Sequence, residues 1–193
     1  MVDTVKPFDR DTIRHAFEEI GRRACADGKI VEIAVYGGSA VVLTLPARAT
    51  TKDVDAVFEQ DKSWLRPIVK DIADQFGWPA DWLNDGVKGF LSPRDGAPDA
   101  KALLATYPDA EDAGLRVFVP VPEYLFAMKA MAMRIGGVDE PQDVSDIRAL
   151  GAEIGIETAE QAIALVEAFY PRSRISPKTE FGLEELYAKP RDK

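Results

Sequence analysis

The chain has 193 residues, 46% hydrophobic and 30% charged, with 14 glycines and 13 prolines; this ordinary globular usage excludes a disordered, fibrous or low-complexity protein. Lys and Arg number 24 against 33 Asp and Glu, a net charge of −9, so the field of the whole molecule repels phosphate backbones and argues against general DNA binding. No apolar run approaches the roughly 20 residues of a membrane helix; the single cysteine, Cys25, excludes an internal disulfide, and the charge spread through residues 1–30 is unlike a signal segment, which makes the cytoplasm the expected compartment.

In chain order, residues 9–26 repeat apolar side chains at helical spacing (Ile13, Phe17, Ile20, Ala24), and Asp9 or Asp11 stands where a cap belongs. IVEIAVY, 30–36, alternates and is β-branched, which predicts a strand. Gly37 and Gly38 end it, and SAVVLTL reads as a short buried helix. KDVDAVF, 52–58, is the next predicted strand. KSWLRPIVKDIADQFG, 62–77, returns to helical period, with Pro67 in its first turn or bending it. ADWLNDGVKGF suggests a short helix, and residues 95–114 read as a surface excursion with one short helix at AKALLATY. LRVFVPV, 115–121, is the third strand. Beyond Pro122 the chain becomes helical: PEYLFAMKAMAMR, DVSDIRALGAEIG, TAEQAIALVEAFY and TEFGLEELYA, punctuated by Gly136-Gly137 and Pro171. The order predicts an α/β (α+β) protein: a small mixed sheet packed by helices over 1–121, and a helical subdomain over 122–193, packed on it as one compact unit.

The chemistry concentrates in VYGGSAVVLTLPARATTKDVDAVF, residues 35–58. On a strand, positions i and i+2 share a face, so Asp53 and Asp55 point one way and Val54 and Ala56 the other. Their Cα atoms then lie about 6.6–6.8 Å apart. That spacing suits two carboxylates converging on divalent ions, which in two-metal phosphoryl-transfer sites sit about 3.5–4 Å from each other. Magnesium prefers such oxygen ligands together with water and substrate phosphates. The tight turn at Gly37-Gly38-Ser39 offers backbone N–H groups and a positive helix end to an anion, and the absent side chains permit close phosphate approach. A nucleoside triphosphate with its metals satisfies both halves.

The pattern GGS, thirteen residues, DVD resembles the nucleotidyltransferase superfamily of DNA polymerase β type. PEYLFAMKAMAMR followed by DVSDIRAL is similar to the C-terminal pattern of AbiEii-type nucleotidyltransferase toxins of bacterial toxin-antitoxin systems. The likeness spans roughly residues 30–150 and leaves the first helix and the tail unmatched. It implies an enzyme that uses Mg2+ or Mn2+ to transfer a nucleotidyl group from a triphosphate to an acceptor hydroxyl. The acceptor implied is tRNA, and the partner a cognate antitoxin. By the same resemblance Gly38 and Ser39, with Gly37, hold the triphosphate, Asp53 and Asp55 hold the metals, and Lys129 and Asp146 complete the site, with Asp143 the alternate to Asp146. A third acidic residue, present in many members on a later strand, is missing from LRVFVPV, and Glu123 lies just past it. Two rivals follow from that departure and from the acidity: a non-catalytic nucleotide-binding module, and a transferase acting on a small cationic acceptor of aminoglycoside type.

Other residues carry plainer readings. Lys129 falls at the edge of an apolar helix face with Tyr124, Leu125, Met128, Met131, Ala132 and Ile135, and needs an anionic partner or a route to water; a triphosphate would serve. Asp143 reads as the N-cap of its helix, with Asp146 in the first turn. Arg48, Lys52 and Arg94 are candidate phosphate contacts, Lys52 being the one placed with the nucleotide-binding set, while Arg172, Arg174 and Lys178, in a stretch without acid, are a candidate local RNA contact. Solvated surface is the commoner use of all six. His15 sits among charges, Cys25 reads as a small hydrophobe, and Met128, Met131 and Met133 read as core filler.

Overall fold

The computed structural model describes residues 7–58, 62–134 and 140–188. Ile135, Gly136 and Gly137 lie outside them. The protein is mixed α/β, and it divides into two units: residues 1–89 with 101–120, and residues 90–100 with 121–193.

The first unit opens with β1 (Phe8–Asp9) and α1 (Arg10–Ala26), followed by β2 (Val31–Val35), α2 (Gly37–Thr44), β3 (Thr50–Thr51), β4 (Val54–Val57), α3 (Lys62–Phe76) and β5 (Leu83–Asn84). A 3-10 turn over Gly86–Phe90 leads away, and the unit closes with the hairpin β6 (Lys101–Pro108) and β7 (Ala113–Pro120). Asp9 caps α1, its carboxylate accepting the Thr12 N–H at 2.8 Å. The apolar stripe of α1, Ile13, Phe17, Ile20 and Ala24, is completely buried and packs on β6 and β7. Each of its large members contributes about 1.5–3 kcal/mol of burial. The five-stranded sheet runs β5-β4-β2-β7-β6. Strand β2 is parallel to β7 and antiparallel to β4, β5 is parallel to β4, and β6 is antiparallel to β7. One sheet face is core, built from Val31, Ile33, Val35, Val54, Ala56, Leu115, Val117 and Val119. The other carries Glu32, Asp55 and Arg116 and is partly open.

Three stretches differ from their sequence expectation. AKALLATY is not helical: it forms β6, whose hairpin turn is fixed by Asp109 Oδ1 accepting the N–H groups of Glu111 and Asp112, both at 2.9 Å. A register shift between Leu103 and Ala105 places Leu104 as an extra residue, which breaks the alternation that marks a strand. ADWLNDGVKGF forms the short β5 and the 3-10 turn instead of a helix. Pro67 lies inside α3 on its exposed side, beyond the first turn, where the missing N–H costs one ladder bond.

The second unit comprises α4 (Pro122–Ala132), α5 (Glu140–Glu153), α6 (Ala159–Phe169), a 3-10 turn at Arg172–Arg174 and α7 (Pro177–Leu186). Helix α4 is buried continuously from Tyr124 to Ala130 because α5, α6 and α7 all pack on it. Thr158 and Gln161 form a reciprocal capping box on α6, and Ser176 caps α7. Segment 90–100, within the 1–121 expected to form the sheet unit, belongs to this unit instead. Tyr170 donates its hydroxyl to Phe90 O at 2.6 Å; the Tyr124 hydroxyl accepts the Ser92 N–H at 2.9 Å and donates to Asp95 Oδ1 at 3.1 Å. Among the described residues no helix is long and apolar enough to cross a membrane.

Candidate functional site

In the first unit the glycine turn and the acidic pair meet. Strand β2 ends at Val35, and the next N–H, of Tyr36, donates to Asp55 O at 2.9 Å. The turn into α2 therefore starts opposite the acidic strand. Gly37 adopts φ 58°, a left-handed conformation that favours glycine. A side chain at Gly37 would also run into the Asp55 carboxylate, whose Oδ2 lies against it. The first ladder bond of α2 runs from Ala40 N–H to Tyr36 O at 3.0 Å, so the N–H groups of Gly37, Gly38 and Ser39 precede the ladder. Ser39 is fully buried and donates its hydroxyl to Tyr36 O at 2.8 Å. Its side chain is thereby committed, and what it offers an anion is its backbone.

Val54, Ala56 and Phe58 are buried, while Asp53, Asp55 and Val57 are half-buried. This alternation puts both carboxylates on the open face. Asp53 stands one residue ahead of the β4 ladder. Asn84 of β5 orients it, donating Nδ2 to Asp53 Oδ2 at 3.2 Å, while Asn84 Oδ1 accepts the Gly86 N–H at 2.9 Å. Asn84 sits in register with Asp55. Its contact with Asp53 is not legible in the sequence, since two residues of strand carry no periodic signal. Lys52 is exposed beside the pair.

The donor set fits a hard divalent cation. Ionised Asp53 and Asp55 present acceptor-only oxygens on one face, as magnesium requires when it keeps water and phosphate oxygens for its other positions. Among the described residues no group of three or more His, Cys, Asp or Glu side chains is arranged to hold a metal. An ion at the pair would therefore draw its remaining oxygens from ligand and water. On β7 the residues in register with the open face are Arg116, opposite Glu32, and Phe118, opposite Ala34. Neither supplies a third carboxylate.

The remaining two candidates lie in the second unit. Lys129 is 8% exposed and Asp146 2%, and they pair at 2.7 Å. Asp143 approaches Lys129 at 3.5 Å and Arg134 at 3.3 Å, and Gln142 donates to Asp146 at 2.9 Å. Lys129 thus takes its anionic partners from α5, where Asp143 and Asp146 share a face three residues apart. Asp143 is not an N-cap, because α5 already begins at Glu140; its carboxylate instead accepts from the Arg134 backbone and guanidinium. Burying this cluster is tolerable only because each charge meets an opposite one.

Other candidates are occupied locally. Arg94 lies over the Phe169 ring and bonds Ala168 O and Asp99. Arg172 pairs with Glu167 and Glu180, and Arg174 bonds Leu91 O and covers Tyr170. His15 faces Glu18 and the edge of Phe76. Cys25 donates its thiol to Asp112 O at 3.1 Å. Desolvation, then the charges of Asp112 and Asp109, push that thiol up from its ordinary range, the opposite of an activated nucleophile. A scan against protein-family models and searches of curated proteins and of solved structures return no match for this chain.

Proposed function

We propose that the first unit is the catalytic core of a magnesium-dependent nucleotidyltransferase of DNA polymerase β type. One observation carries the reading: Gly37, at positive φ, lies directly against the carboxylate of Asp55, so a turn suited to phosphate and a pair suited to cations occupy one place. Asp53 and Asp55 would hold the metal, which when bound shields phosphate charge and favours transfer. The N–H groups of Gly37, Gly38 and Ser39 would orient the triphosphate, with Lys52 at the rim. Asn84 keeps Asp53 turned to the open face. Phosphoryl chemistry of this kind depends on positioning and charge neutralisation more than on a dedicated base, which is compatible with a β7 lacking acid. The resemblance to AbiEii-type toxins extends the proposal to tRNA as acceptor and an antitoxin as partner.

Incorporation of label from nucleoside triphosphates into tRNA, and separately into aminoglycosides, tests the reading. Asp53→Ala and Asp55→Ala are expected to abolish incorporation while leaving the circular dichroism spectrum and melting temperature near those of the parent. Full turnover in either variant would overturn the metal assignment. The missing third carboxylate favours a second reading, nucleotide binding without transfer; it prevails if magnesium and triphosphate bind but no acceptor becomes labelled.

A further inference from the structure

Gly38 is glycine for a reason distinct from that of Gly37. Its backbone is ordinary, yet a Cβ built on it would lie 2.7 Å from Arg48 Cζ, 2.7 Å from Nη2 and 2.8 Å from Nη1. Three near-equal distances mean that the guanidinium turns its flat face to the space a Cβ would fill. The fork is held there by Nε, which donates to Thr50 O at 2.9 Å. Arg48 is half-buried, on the loop between α2 and β3. The two glycines of the turn therefore carry opposite charges: the Asp55 carboxylate rests on Gly37 and the Arg48 guanidinium on Gly38.

We propose that Arg48 is a ligand-gripping residue of this site, its fork taking a phosphate of the triphosphate while Gly38 serves as the shelf that positions it. The inference rests on the nucleotidyltransferase reading and deepens it. A guanidinium offers planar, paired donors that match phosphate oxygens, which an ammonium does not. The adjacent carboxylate repels a bare anion, and the guanidinium repels a bare cation. The ligand that satisfies both is a metal-complexed polyphosphate, so the site should discriminate against either component alone.

The test is titration calorimetry with inorganic tripolyphosphate, with and without magnesium, alongside thermal melts of each variant. The parent is expected to bind the magnesium complex more tightly than metal-free tripolyphosphate. Arg48→Ala should weaken binding by about tenfold to a hundredfold, the range of a charge-assisted hydrogen bond, and Arg48→Lys should recover only part of it. Gly38→Ala meets only the far end of the Arg48 side chain, so it should fold normally and yet weaken binding. Added to Arg48→Ala, it should cost nothing further, because both changes remove one interaction. Parent binding that Arg48→Ala leaves intact, even with a lowered melting temperature, would make the residue a mere latch for the loop and overturn this inference alone. Additive losses would overturn the shelf. No binding by the parent would overturn the nucleotidyltransferase reading and this inference together.

Discussion

Lys129 shows how far a single residue is legible. Its place on an apolar helix edge demands an anion, and that demand is plain from the spacing of Leu125 and Ala132. Which anion answers is not local information: Asp146, at 2.7 Å, comes from another helix. The consequence is practical. Removing one partner of a buried pair strands the other, so Lys129→Met is expected to cost about 3–5 kcal/mol of stability, read as a lowered denaturant midpoint. Any activity lost in Lys129 or Asp146 variants must be scored on the folded fraction. A Lys129→Met chain as stable as the parent would show that this cluster is not buried in solution. Asp53 and Asp55 differ: both are half-buried on an open face, so their replacement tests the proposed chemistry without the loss of a buried ion pair.

Among the elements, the segment 90–100 and strand β6 are where sequence patterns misled. Leu103 and Leu104 stand side by side, 53% and 37% exposed, and adjacent leucines suit a helix as well as a bulged edge strand. Only pairing with β7 decides between them. Segment 90–100 has turn composition, and its attachment depends on two tyrosines distant in the chain. Burial raises both Tyr124 and Tyr170 well above the ordinary 10.0. Their folded values exceed the unfolded one, so this contribution to stability is complete below pH 10.0 and is lost as pH rises above it. Ultraviolet titration is expected to show these two phenols ionising only together with loss of the helical signal. Free ionisation near pH 10.0 with the fold intact would contradict the anchoring described.

For the whole molecule, −9 of net charge sets the terms for any nucleic-acid partner. Random duplex DNA is expected to bind more weakly than about 10⁻⁴ M at physiological salt, the lower bound of ordinary non-specific binding, measured by fluorescence anisotropy. Tight, salt-sensitive binding would expose a basic surface that Arg94, Arg172 and Arg174, all engaged within the second unit, do not provide.

The amino-acid order alone determined the α/β-then-α plan, the buried stripe of α1, strands β2 and β4 with the shared side of Asp53 and Asp55, and the glycine turn, because each is written in contacts between near neighbours. Tertiary structure decided the rest. Asp55 rests on Gly37, Arg48 on Gly38, Asn84 on Asp53 and Lys129 on Asp146. Such meetings depend on strand register and helix packing, which no local period encodes.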